Sequence, residues 1–142
     1  MKLLSFTILK QMKASRKVKN YLELAKRIAL QSDYGNIKHG AVLTKGGSII
    51  NVSCNKNNYC SFGKRFRDDD KGKATLHAEL GCVLNLDRSV TQGTDIYVIR
   101  INRRGDFRLS KPCQMCEAAL RYVGVKRAFY TTNDGTVECH KL

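Results

Sequence analysis

"TDIYVIRI", residues 94–101, decides how the rest of the chain is read. It is rich in β-branched residues and reads as a strand. Helical patterns flank it on both sides. "ATLHAELGCVLNL" (74–86) has Thr75 as its expected N-cap, and "CQMCEAALRYV" (113–123) follows Pro112, which suits a helix start. "VKRAFYTT" (125–132) is the next strand. Upstream, "GAVLTKGGSIINVS" (40–53) reads as two short strands joined at Gly46-Gly47. Before them Val18, Tyr21, Leu22, Ala25, Ile28 and Ala29 recur at helical spacing, predicting an amphipathic helix over 17–31. Residues 54–73 are polar and contain glycine, an irregular loop too long for a plain connection. Asn133-Asp134-Gly135 signals a turn into a short last strand within "TVECHKL" (136–142).

The resulting order, α-β-β-α-β-α-β-β, predicts a three-layer α/β/α sandwich around a five-stranded mixed sheet. A parallel return requires a crossover of about a dozen residues or more. Only ten residues follow Thr132, so the last strand should run antiparallel to its predecessor. The chain of 142 residues fits one domain, expected over 17–142 after a basic, loosely held N-terminal extension, 1–16.

Net charge is +14, from 26 basic and 12 acidic residues, which favours polyanionic partners. No run of apolar residues approaches a membrane-spanning length, so no membrane partner is expected. No secretory pattern opens the chain, and a cytoplasmic location is expected. Six cysteines in a reducing compartment point to metal binding or catalysis before disulfides.

Two motifs carry chemistry. "LHAELG" (76–81) holds His77 and Glu79; "KPCQMC" (111–116) holds Cys113 and Cys116. The cysteines are one helical turn apart, so their sulfurs fall on one face. Two thiolates and an imidazole are soft ligands that select zinc, and three protein ligands leave a fourth position open, as in catalytic sites. Glu79 then has a role: its carboxylate can take a proton from a water activated by the metal and pass it on. The competing readings are a core histidine with a redox cysteine pair, or a structural zinc completed by Cys82.

His77-x-Glu79 with Pro112-Cys113-x-x-Cys116 resembles the zinc-dependent cytidine and deoxycytidylate deaminase superfamily, whose signature is His-x-Glu…Pro-Cys-x-x-Cys. The resemblance runs from about residue 18 to the end. It implies a cytidine-deaminase-like fold, zinc held by His77, Cys113 and Cys116, Glu79 as proton carrier, and hydrolytic conversion of cytosine to uracil. It also implies substrate contacts at Asn55, Asn57, Ala78 and Ser110. Asn55 matches an asparagine that contacts the sugar, but Asn57 stands where nucleoside deaminases carry a glutamate. His77, in place of a third cysteine, is similar to deoxycytidylate, tRNA-adenosine and polynucleotide deaminases. The antiparallel last strand is similar to the nucleoside branch.

Charge tips the expected substrate towards cytosine in single-stranded DNA or RNA, read by Lys64, Arg65 and Arg67 with Phe62 and Phe66 interleaved. Free deoxycytidylate is the alternative, adenine in RNA stands third, and a non-catalytic zinc-stabilised nucleic-acid-binding protein is the reading from another class. A homo-oligomer is left open. Cys54, Cys60, Cys139, His39 and His140 show no clean spacing for a second zinc, and free thiols are expected there.

Overall fold

In a computed structural model, residues 2–5, 13–33, 35–66 and 75–142 are described. Helix α1 (Lys13–Ala29) precedes a hairpin of β2 (Lys38–Lys45) and β3 (Ser48–Cys54). Gly46 and Gly47 turn it with φ of 57° and 84°, the pair of left-handed conformations that a two-residue hairpin turn requires. After β3 come β4 (Lys56–Tyr59), the four-residue helix α2 (Ser61–Lys64), β5 (Thr75–Leu76), α3 (Ala78–Val83) and α4 (Arg88–Thr91). The chain continues through β6 (Asp95–Ile101), β7 (Phe107–Arg108), α5 (Gln114–Tyr122), β8 (Arg127–Thr131) and β9 (Thr136–Lys141).

The five expected strands form one mixed sheet. Strand β6 lies at its centre, antiparallel to β2 and parallel to β8, and β9 returns antiparallel on β8. Two short additions bring the sheet to seven strands. Strand β1 (Lys2–Ser5), within the expected N-terminal extension, pairs with β9, and β7 pairs with the end of β6. Neither has a pattern of its own, since a strand of two or four residues is defined by its partner. The expected loop at 54–73 is partly ordered by pairing between β4 and β5. That pairing draws Thr75 into a strand, so His77, not Thr75, takes the N-cap position of α3.

Both faces of the sheet are covered, and alternation along β2 shows how. Val42 packs with Tyr21, Leu22 and Ala25 of α1, while Ala41 and Leu43 pack with Ala78 and Cys82 of α3 and Leu120 of α5. Helix α1 comes very close to the sheet at Gly40. A Cβ there would lie 1.9 Å from the Ala25 carbonyl oxygen. Backbone cannot rotate away from such a contact, so Gly40→Ala should destabilise the protein by about 3 kcal/mol. A denaturant titration checks this, and an unchanged midpoint would contradict the close approach.

Candidate metal centre and active site

Strand β5 delivers His77 to the start of α3, and the segment after β7 delivers Cys113 to the start of α5. Both occupy N-cap positions with extended backbone, and neither side chain caps its helix, which leaves imidazole and thiol for another partner. Cys116 follows in the first turn of α5. His77 Nδ1 lies 3.2 Å from Cys116 Sγ and 3.7 Å from Cys113 Sγ, and all three ligand atoms lie within 4.8 Å of one another. Zinc–sulfur bonds of about 2.3 Å and zinc–nitrogen bonds of about 2.0–2.1 Å in a tetrahedron place ligand atoms roughly 3.5–3.8 Å apart. The donor set and its spacing therefore fit zinc. Cys82, on the core face of α3, is fully buried, which pushes its thiol pKa up, and it takes no place in this cluster.

The two thiols differ. Donation from Cys116 holds the Cys113 thiol down to about 4, against the opposing effect of burial. Cys116 is raised by the same hydrogen bond and by its burial. Without metal, the pair thus shares one proton. Zinc binding near neutral pH should release about one proton, from Cys116, and affinity should fall about tenfold for each unit the pH drops in that range. Calorimetric titration of zinc in buffers of different ionisation enthalpy reads the count directly; zero or two protons would contradict the shared-proton pair.

Glu79 is 4% exposed, and burial raises its carboxyl pKa, with opposing contributions from its own backbone and from His77. A pocket of about 240 Å³ opens beside it, lined by Ile37, His39, Asn55, Thr75, His77, Ala78, Glu79, Lys111 and Cys113. Asn55 and Ala78, two of the expected substrate contacts, both line this pocket. Asn55 is heavily committed: Oδ1 accepts from the His39 backbone N–H at 2.9 Å and from Ser32 Oγ at 2.6 Å, and Nδ2 donates to Ile37 O at 2.9 Å. One N–H remains for a ligand.

Asn57 and Ser110 lie elsewhere. Asn57 is exposed, and its backbone N–H donates to Asp33. Ser110 is buried outside the pocket lining, its hydroxyl donating to Val98 O at 2.8 Å. Phe62 and Phe66 pack edge-on against each other and onto Leu80, Met115 and Cys116, instead of standing free among charges. The Arg65 guanidinium lies 5.7–5.8 Å from the ring centres of Phe62, Phe66 and Tyr122, and Lys64 is half-buried at the end of α2. Arg67 lies outside the described residues. Among those described, no second metal-ligand cluster exists. His140 pairs with Glu117 at 2.7 Å, Cys54 and Cys60 are buried, and Cys139 is half-buried.

Ile37, His39, Thr75 and Lys111 line the pocket without having been among the expected substrate contacts. His39 is lowered to about 4 by burial first, then by the charges of Arg100 and His77, so its imidazole is neutral at physiological pH. Among the described residues, no helix is long and apolar enough to cross a membrane.

The sequence family described as the cytidine and deoxycytidylate deaminase zinc-binding region matches residues 15–132. Among curated proteins no sequence matches the chain. Solved structures share the fold. The deoxycytidylate deaminase of cyanophage S-TIM5 in its apo form is 18% identical, with a TM-score of 0.54 over 86% of each chain. Its complex with dCMP and dUMP is 20% identical, with a TM-score of 0.52 over 86% of this chain and 85% of that one. A mutant cytidine deaminase from Mycobacterium tuberculosis is 21% identical, with a TM-score of 0.50 over 80% and 83%.

Proposed function

The chain belongs to the cytidine and deoxycytidylate deaminase family, and on that premise we propose that it hydrolyses the exocyclic amine of cytosine, giving uracil and ammonia. One observation carries the reading: Glu79, a buried carboxyl that takes no place among the three ligands, lines the pocket they open into. A structural metal site has no use for such a group.

Zinc, when bound by His77, Cys113 and Cys116, supplies the Lewis acidity that makes water nucleophilic near neutral pH. Glu79 accepts the proton of the water that attacks C4 of cytosine. It returns that proton to the ring nitrogen N3, then takes the proton of the new C4 hydroxyl and passes it to the amino group, so that ammonia leaves as the C4 carbonyl of uracil forms. Burial raises the Glu79 pKa, which strengthens the carboxylate as the base that takes the proton of water in the first half of this cycle. The remaining Asn55 N–H holds the sugar, and the other three bonds of the Asn55 amide tie it to Ser32, Ile37 and His39.

On this reading the preferred substrate is a free deoxycytidylate nucleotide, and two observations support it. Phe62 and Phe66 are half-buried in packing, which reduces the ring surface they offer for stacking further bases. The cyanophage deaminase of the same fold was solved with dCMP and dUMP. Cytosine within a single strand is the second reading, favoured by the +14 charge. The rate on dCMP against the rate on an oligonucleotide with one cytosine, at matched concentration and physiological salt, separates them. A faster rate on the oligonucleotide, with binding that weakens with salt at a slope of about −0.7 per phosphate contacted, would reverse the preference.

A further inference from the structure

Among the described residues, Arg100 Nε is the one buried side-chain nitrogen or oxygen with no hydrogen-bond partner. Arg100 lies on β6 directly opposite His39 of β2 on one side and Arg108 of β7 on the other. Residues paired across strands point to the same face. On β6, Ile96 and Val98 share that face with Arg100 and pack towards α3 and α5, the helices that carry the metal ligands. Three basic side chains therefore form a row across β2, β6 and β7. His39, at one end of the row, lines the metal pocket together with Lys111.

Among the described residues no carboxylate forms an ion pair with Arg100 or Arg108. Lys111 feels the Glu117 carboxylate and His39 the Cys113 thiolate, which leaves the arginine pair as the uncompensated part of the row. Asp106, in the turn between β6 and β7, interacts with Asn102, and Glu79 is the one carboxyl lining the pocket. The nearby Arg103 is engaged by Asn36 Oδ1 at 3.0 Å. Like charges directly opposite one another destabilise a sheet, and a buried donor left unpaired adds to that cost. Both penalties vanish if an anion sits against the row.

We infer that Arg100, His39 and Lys111 form a subsite for the phosphate of the nucleotide whose base enters the metal pocket. This rests on the deaminase reading for the base but concerns a different part of the ligand. Arg100 supplies the fixed charge and a pair of N–H donors. His39, neutral and held in place by Asn55 through its backbone, supplies one N–H without adding a second buried charge. Lys111, exposed and lining the pocket, adds a point charge. The phosphate can be a terminal monophosphate or a link in a strand, since the chemistry is shared.

Binding of the product-type ligands dUMP, deoxyuridine and a thymidine-flanked trinucleotide with central deoxyuridine, measured by calorimetry on zinc-loaded protein, tests this without requiring turnover. Arg100→Gln should weaken dUMP by about 10–100-fold, the value of a hydrogen-bonded charge, and deoxyuridine by less than about twofold. Arg100→Lys should recover part of the loss and provides a second variant if glutamine impairs folding. Loss on both dUMP and the trinucleotide places an internal phosphate in the subsite; loss on dUMP alone places a terminal one. Equal weakening of dUMP and deoxyuridine, or equal affinity of the parent protein for both, would overturn the inference. If dUMP binds with the expected dependence on Arg100 but no cytosine substrate is deaminated, the subsite stands and the catalytic reading falls.

Discussion

Glu79→Gln should retain zinc and the fold while losing about 10⁴-fold or more in turnover. General acid–base groups are typically worth about 10²–10⁴-fold for one proton transfer. Here a single carboxyl serves the attack of water, the protonation of the ring and the departure of ammonia, so the loss lies at or beyond the upper end. The variant should also be at least as stable as the parent in the metal-free state. Glu79 is buried with its pKa raised, so its stabilising contribution is fully present below the carboxyl's unfolded value and declines as pH rises through the folded one. Glutamine removes that dependence. Metal analysis, thermal unfolding at two pH values and a deamination assay together read the three effects. A variant that turns over near the parental rate would remove Glu79 from the mechanism.

Replacing Cys113 and Cys116 together by alanine should abolish zinc retention and, with it, all deamination. His77 alone cannot hold the ion against dilution, because removing two of three ligands leaves no chelate. Stability should also become indifferent to added zinc. Binding to the folded chain adds RT ln(1 + [Zn]/Kd) to folding, about 4 kcal/mol when zinc exceeds the dissociation constant a thousandfold. The doubly substituted chain should unfold at the same temperature with and without zinc, whereas the parent should shift upward. Undiminished zinc in the purified double variant would mean the ion sits elsewhere.

The metal site was legible in the sequence because its geometry is local. Two cysteines one turn apart, and a histidine two residues before a glutamate, fix their own relative positions once each helix forms, and both helices start at the pocket. The same locality made β2, β3, β6, β8 and β9 readable, since each carries enough apolar residues to declare its period. His39 and Arg100 were not legible in this way. Their shared place beside the pocket depends on the register of β2 against β6, a pairing across 61 residues that no local pattern specifies. Phe62 and Phe66 were read as free aromatics because charges surround them in sequence. The four residues of α2 turn both rings onto Leu80 and Met115 instead. Asn57 and Ser110 were placed by resemblance alone, and the path of β4 and the packing of Ser110 against Val98 set them apart from the pocket.

Folding should proceed in two halves that meet on β6. The β2–β3 and β8–β9 hairpins close over short turns at little entropic cost, whereas β6 joins β2 across pairs such as Thr44 and Asp95, 51 residues apart. His77 travels on the segment between β3 and β6, and Cys113 and Cys116 on the segment between β6 and β8. The three ligands can meet only after both hairpins have docked on the central strand. Their contacts therefore belong to the late side of the folding barrier, where φ-values are low. Zinc should leave the rate of folding nearly unchanged and act on unfolding, lengthening the lifetime of the native state without hastening its formation.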